Sequence, residues 1–159
     1  MNGEIFSKEE LLKIRSDFPI LNRDINGKKL IYLDNAATTQ KPISVIERMA
    51  QFSKSSNANI HRAIHTLGYE ATVSYEEAHK SVAKFIGAKS WREIVFVRNA
   101  TEALNLVASS FGEKFLKPSE EVVLTIMEHH SNIVPWLMLR DKIGVNLKFI
   151  KVKEDGNLN

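Results

Sequence analysis

From residue 93 to residue 152, short apolar runs alternate with amphipathic stretches, and this alternation restricts the fold more than any other feature of the chain. The runs 93–97, 121–126 and 146–152 read as strands. Between them, 101–111 carries Leu104, Val107, Ala108 and Phe111 at helical spacing, and 132–143 carries Ile133, Val134, Trp136, Leu137, Leu139 and Ile143 before a stop at Gly144. Ser131 stands where an N-cap is expected for that second helix. The order βαβαβ implies a parallel sheet covered by helices, because parallel neighbours need a crossover of a dozen or more residues.

The upstream region is less regular. Ser7 and Glu10 are in capping-box register ahead of Leu11, Leu12 and Ile14, which predicts a short amphipathic helix. Residues 24–28 (Asp-Ile-Asn-Gly-Lys) read as a turn and 30–33 as a short strand. Pro42 suits the first position of a helix over 43–52. Residues 53–66 have little periodicity and read as an exposed loop. Residues 67–86, with Val73, Ala78, Val82, Phe85 and Ile86, form the longest expected helix, ending at Gly87. Asp155-Gly156 reads as a last turn. Residues 1–90 are expected to be an N-terminal arm and helices wrapped outside the sheet, and 91–159 the start of an α/β domain.

Charge and composition narrow the function classes. The net charge of +3 is spread over 22 basic and 19 acidic residues with no basic block, which argues against nucleic acid or a membrane surface as partner. No apolar run approaches the roughly 18 residues of a membrane span. The first residues lack the layout of a secretory signal, so a cytoplasmic location is expected. With no cysteine, these 159 residues hold no disulfide, cysteine–zinc site or thiol nucleophile.

Three places could carry chemistry. Arg98-Asn99-Ala100-Thr101-Glu102 joins a strand to a helix, and free amides at a helix start beside the Thr101 hydroxyl would suit a phosphate. The same residues also read as an ordinary N-cap with an acidic first turn. His129-His130 follows the carboxyl end of strand 121–126, where open α/β sheets bind ligands, although such a pair is also a common polar surface feature. His61 and His65 have metal-chelating spacing but lie in the loop without a convincing third ligand, so no metal site is expected. A phosphate site and a ring-stacking candidate at two strand ends together fit one flat, phosphorylated cofactor, and Thr101 and His129 are expected to face one cavity.

Four ordered segments carry a resemblance: 32–42 (Tyr-Leu-Asp-Asn-Ala-Ala-Thr-Thr-Gln-Lys-Pro), 59–67 (Asn-Ile-His-Arg-Ala-Ile-His-Thr-Leu), 96–108 (Phe-Val-Arg-Asn-Ala-Thr-Glu-Ala-Leu-Asn-Leu-Val-Ala) and 127–136 (Met-Glu-His-His-Ser-Asn-Ile-Val-Pro-Trp). From about residue 15 onward the chain resembles the amino-terminal part of the group II, SUF-type cysteine desulfurases in the class V aminotransferase family. The fold this implies is the incomplete N-terminal part of a fold-type-I pyridoxal-phosphate transferase large domain, α/β with a mostly parallel sheet flanked by helices. The chemistry it implies takes sulfur from L-cysteine, leaving alanine and an enzyme-bound persulfide for iron–sulfur cluster assembly, in a homodimer that hands sulfur to an acceptor protein.

By position, the resemblance assigns cofactor binding to Ala100, Thr101 and His129, with the last also catalytic in proton transfer. Ala36, Ala37 and His61 fall on the substrate side, and His130 and Asn132 are supporting residues. Ala100 stands where many relatives are expected to carry threonine or glycine. Relatives are expected to be more than twice this length, with the cofactor-linked lysine and the persulfide-carrying cysteine beyond residue 159. The 159 residues alone are therefore expected to bind pyridoxal 5'-phosphate weakly and to be inactive. The alternatives are a partial subunit or accessory binding protein completed by a second chain, or a class V aminotransferase or selenocysteine lyase.

Overall fold

The computed structural model describes residues 6–159, which fall into two units meeting in sequence at Ile94 and Val95. Residues 1–5, the start of the expected N-terminal arm, lie outside the described residues.

In the first unit, the capping box forms as its spacing predicts. The Glu10 amide donates to Ser7 Oγ at 3.2 Å, the Ser7 amide donates to Glu10 Oε2 at 2.8 Å, and helix α1 runs Lys8–Ser16. Asp24–Ile25 (β1) and Lys28–Lys29 (β2) then pair antiparallel. Asn26 (φ 52°) and Gly27 (φ 74°) between them are both left-handed, the requirement of a tight two-residue hairpin loop. The expected strand at 30–33 does not form. A strand needs a neighbour's row of backbone groups, and here the Leu30 carbonyl is taken by the Arg15 guanidinium at 2.6 Å and its amide by the Arg23 carbonyl, leaving Ile31 and Leu33 exposed.

Helix α2 spans Ile43–Ser55 behind Pro42, and α3 spans Thr66–Ile86, stopping at Gly87 with φ 72°. Gly68 on α3 is needed where it stands, since a Cβ there would lie 2.1 Å from the Ala63 Cβ. The buried face of α3 consists of Gly68, Ala71, His79 and Ala83. The residues up to Ile94 cluster as a compact unit of their own. The cause is local: α3 binds the preceding loop through Gly68 and Thr72.

The second unit begins with extended chain. Where a strand was expected at 93–97, a 3-10 turn occupies Trp91–Glu93 and extended chain follows it. The Ser90 hydroxyl accepts the Arg92 amide and starts that turn, which curls the first residue of the apolar run out of extended geometry. Helix α4 (Ala100–Val107) continues through a π turn at Ala108–Gly112 into α5 (Glu113–Phe115), four residues past the expected end.

Strands β3 (Glu121–Thr125) and β4 (Asn146–Ile150) pair parallel, with Glu121 opposite Asn146 and Thr125 opposite Ile150. Helix α6 (Val134–Ile143) is the crossover between them. The expected helix start at Asn132 is displaced because it would demand a donor from Pro135, which has none. Pro135 instead occupies the first turn of α6, where no donor is needed. Leu124, Leu139 and Val145 are buried at this parallel unit. Leu139 packs on Gly112 so closely that a Cβ there would come within 2.6 Å of its Cδ2.

Candidate functional site

Asn99 shapes the start of α4. Its side-chain oxygen accepts the Glu102 amide at 2.9 Å and its carbonyl accepts the Ala103 amide, so the third and fourth amides are satisfied. The Ala100 and Thr101 amides precede any possible intrahelical acceptor, and both residues are exposed. Glu102 puts a carboxylate beside these donors, but Arg98 engages it. The Arg98 amide donates at 2.6 Å and its guanidinium at 3.2 Å, which holds the Glu102 carboxyl below the usual carboxylate range. Two free amides and a hydroxyl, beside a carboxylate whose charge Arg98 offsets, make a donor set that fits a phosphate dianion.

Helix α4 packs against a 3-10 turn, His130–Asn132, in the same unit. The turn is braced from both sides. Thr125 Oγ1 at the end of β3 donates to Glu128 Oε1 at 2.8 Å, and Asn132 Nδ2 donates to Glu128 Oε2 at 2.9 Å. The Trp136 indole donates to Asn132 Oδ1 at 3.0 Å. Donation from Asn132, then from Thr125, favours the ionised Glu128 and lowers its pKa. Glu128 and Trp136 are the members that motif reading passed over. The signal was the spacing of 128, 132 and 136, four residues apart, although no regular helix spans all three.

His129 is exposed and caps this turn with its own ring. Its Nδ1 accepts the Ser131 amide at 3.2 Å and lies 2.9 Å from Ser131 Oγ. Ser131, expected as the N-cap of the following helix, is therefore inside the turn instead. The His130 ring stands 6.2 Å from that of His129.

Ala36, Ala37 and His61 belong to the first unit. Ala36 and Ala37 form an exposed turn that follows Asn35. A hollow of about 400 Å³ lined by Phe18, Tyr32, Asn35 and Gln40 lies beside it. His61 has φ 69°, uncommon for a residue with a Cβ. It is held there by Thr72, whose Oγ1 accepts the His61 amide at 2.9 Å while donating to the Gly68 carbonyl at 2.7 Å. The His61 ring packs edge-on to Tyr75 at 5.4 Å. Tyr75 in turn stacks at 4.4 Å on buried His79, which faces Trp91. His61 and His65 form no metal centre with a third ligand, and among the described residues no group of three or more His, Asp or Glu could hold one. Also among them, no helix is long and apolar enough to cross a membrane.

Comparison with known proteins fits this arrangement. The family model described as "Aminotransferase class-V" matches residues 31–159. A probable cysteine desulfurase of Synechocystis is 55% identical over 141 residues, covering 89% of this chain and 34% of that protein. One from Mycolicibacterium paratuberculosis is 54% identical over 149 residues, covering 94% and 22%. Among solved structures, the apo cysteine desulfurase of Thermococcus onnurineus superposes with a TM-score of 0.83 at 42% identity, covering 93% of this chain and 35% of that one. A cysteine desulfurase of Escherichia coli gives 0.72 at 32% identity, covering 95% and 36%. The chain thus spans about a third of the length of most relatives it matches, and its fold is the N-terminal part of theirs, pyridoxal-phosphate fold type I. The chain belongs to the class V aminotransferases, a pyridoxal-phosphate family.

Proposed function

We propose that the chain is the N-terminal part of a SUF-type cysteine desulfurase, with residues beyond 159 completing the enzyme. The observation that carries this is the start of α4, with two amides free of intrahelical partners and the Thr101 hydroxyl, on a helix that packs against the turn capped by His129. Ala100 and Thr101 hold the phosphate of pyridoxal 5'-phosphate, and the unit from residue 95 is the beginning of its binding domain. Bound there, the cofactor supplies an electron sink for cleavage at the amino-acid substrate. His129 would bind against the cofactor's ring and hold a proton at its Nε2. Ala36, Ala37 and His61 are assigned to binding of the substrate, L-cysteine.

These 159 residues contain no cysteine, so the sulfur-carrying thiolate comes from outside them. The same holds for the lysine that binds the cofactor covalently, since no lysine here lies on a matching motif. The complete protein is read as a cytoplasmic homodimer that passes sulfur to an acceptor protein for iron–sulfur cluster assembly. The test is a titration of the 159-residue chain with pyridoxal 5'-phosphate, followed through backbone amide resonances. Ala100 and Thr101 are expected to shift first, and Thr101→Ala to weaken binding by about 1.5–3 kcal/mol. Perturbation elsewhere with none at these two amides overturns the cofactor assignment. Cysteine-dependent sulfide release by this chain alone overturns the assignment of the lysine and thiolate to residues outside it.

A further inference from the structure

A backbone amide can only donate, so the nitrogen that receives it must offer a lone pair. His129 Nδ1 accepts the Ser131 amide at 3.2 Å. In the neutral ring the proton is then on Nε2. The Ser131 hydroxyl, 2.9 Å from the same Nδ1, is compelled by the same reasoning to act as a second donor. We infer that Ser131 is a positioning residue that fixes His129 as the Nε2–H tautomer, so that its free nitrogen is presented as a hydrogen-bond donor and not as a base. This deepens the proposed cofactor site and rests on that reading for its chemical meaning. The group that meets Nε2–H is an acceptor, an oxygen or an unprotonated nitrogen of the bound ligand.

A consequence separates this from a generic proton shuttle. With Nδ1 occupied by the Ser131 amide, the ring meets a ligand through Nε2–H. The turn is held shut independently by Glu128, through Thr125 on one side and Asn132 on the other, and Asn132 is itself held by Trp136. The donor state is therefore built into the backbone of the segment that follows β3. Residue 131 governs it through two atoms, one of which every amino acid except proline supplies.

The test is nitrogen-15 NMR of the 159-residue chain without ligand at neutral to mildly alkaline pH. His129 is expected to show an unprotonated Nδ1 and a protonated Nε2, with a through-hydrogen-bond coupling between the Ser131 amide nitrogen and His129 Nδ1. Ser131→Ala, which keeps the amide, is expected to retain both signatures. Ser131→Pro, which removes it, is expected to lose the coupling and to populate the Nδ1–H form. A proton on Nδ1 in the unaltered chain, or absence of the coupling there, overturns the inference whatever the variants do. This measurement needs no cofactor, so it can fail while pyridoxal 5'-phosphate still shifts Ala100 and Thr101, and the reverse outcome is equally distinguishable.

Discussion

The unit from Val95 onward is organised by regular elements, whereas the residues up to Ile94 are organised by side chains that reach the backbone. In the former, α6 crosses between two parallel strands and buries Leu139 and Pro135. In the latter, Arg15 binds the carbonyls of Leu21 and Leu30, Thr72 binds the amide of His61 and His65 caps α3. The difference teaches where each kind of stability resides. The later unit is vulnerable to loss of packed volume, and the earlier one to loss of single polar atoms.

Leu139→Ala should break this comparison most severely. It deletes a nearly fully buried side chain and leaves a cavity against Gly112, costing about 2–5 kcal/mol in denaturant unfolding of the later unit. A value below about 1 kcal/mol would mean that the crossover is not held by packing.

Thr72→Val is the counterpart for the earlier unit. It preserves shape but leaves the His61 amide without its side-chain partner, for a loss of roughly 0.5–1.5 kcal/mol. The His61 amide should exchange with solvent faster in the variant. Unchanged exchange there would show that His61 keeps its left-handed backbone without Thr72.

Gly87→Ala and Gly144→Ala sharpen the comparison by removing packing from it. Both glycines end helices in the left-handed region, at φ 72° and 79°, and a Cβ would meet nothing within 4 Å at the first and only Pro118 at 3.7 Å at the second. Each change should cost about 1–2 kcal/mol in thermal or chemical unfolding. Unequal values would point to a structural difference beyond the cap.

The smallest effect concerns acid. Because Asn132 and Thr125 lower the Glu128 pKa in the folded chain, its contribution is present above the ordinary carboxylate value, about 4.3, and is lost as pH falls through the folded value. Glu128→Gln should remove that contribution at neutral pH, lowering stability there, and flatten the stability–pH curve below about pH 5, where the unaltered chain loses it. An unchanged acid slope would remove Glu128 from the brace of the His130–Asn132 turn.

Period and punctuation made much of this legible from sequence. The capping box at Ser7, the hairpin loop at Asn26-Gly27, the long helix ended by Gly87 and the parallel pair around α6 all rest on local chemistry. The strand expected at 30–33 failed because apolar composition specifies burial, whereas a ladder also needs a partner with free backbone groups, and the start of the one expected at 93–97 is taken by the Trp91–Glu93 turn. The N-cap role of Ser131 failed because Pro135 forbids the earlier helix start and the His129 ring takes over the capping. Ala100, Thr101 and His129 could be chosen from motif order. The brace from Glu128 could not, since it depends on where a short irregular turn aims three side chains.

The π turn at Ala108–Gly112 bears on how this chain tolerates changes in length. A regular helix advances about 100° per residue, so one residue beyond that regular count sets the orientation of everything after it. Removing a single residue there would restore an unbroken hydrogen-bond ladder, yet swing the Gly112 position away from Leu139 and Glu113 away from Lys142, which now pairs with it. Substitutions that keep five residues between Val107 and Glu113, with glycine last, preserve both meetings. A deletion that looks conformationally favourable by itself would disconnect α5 from α6.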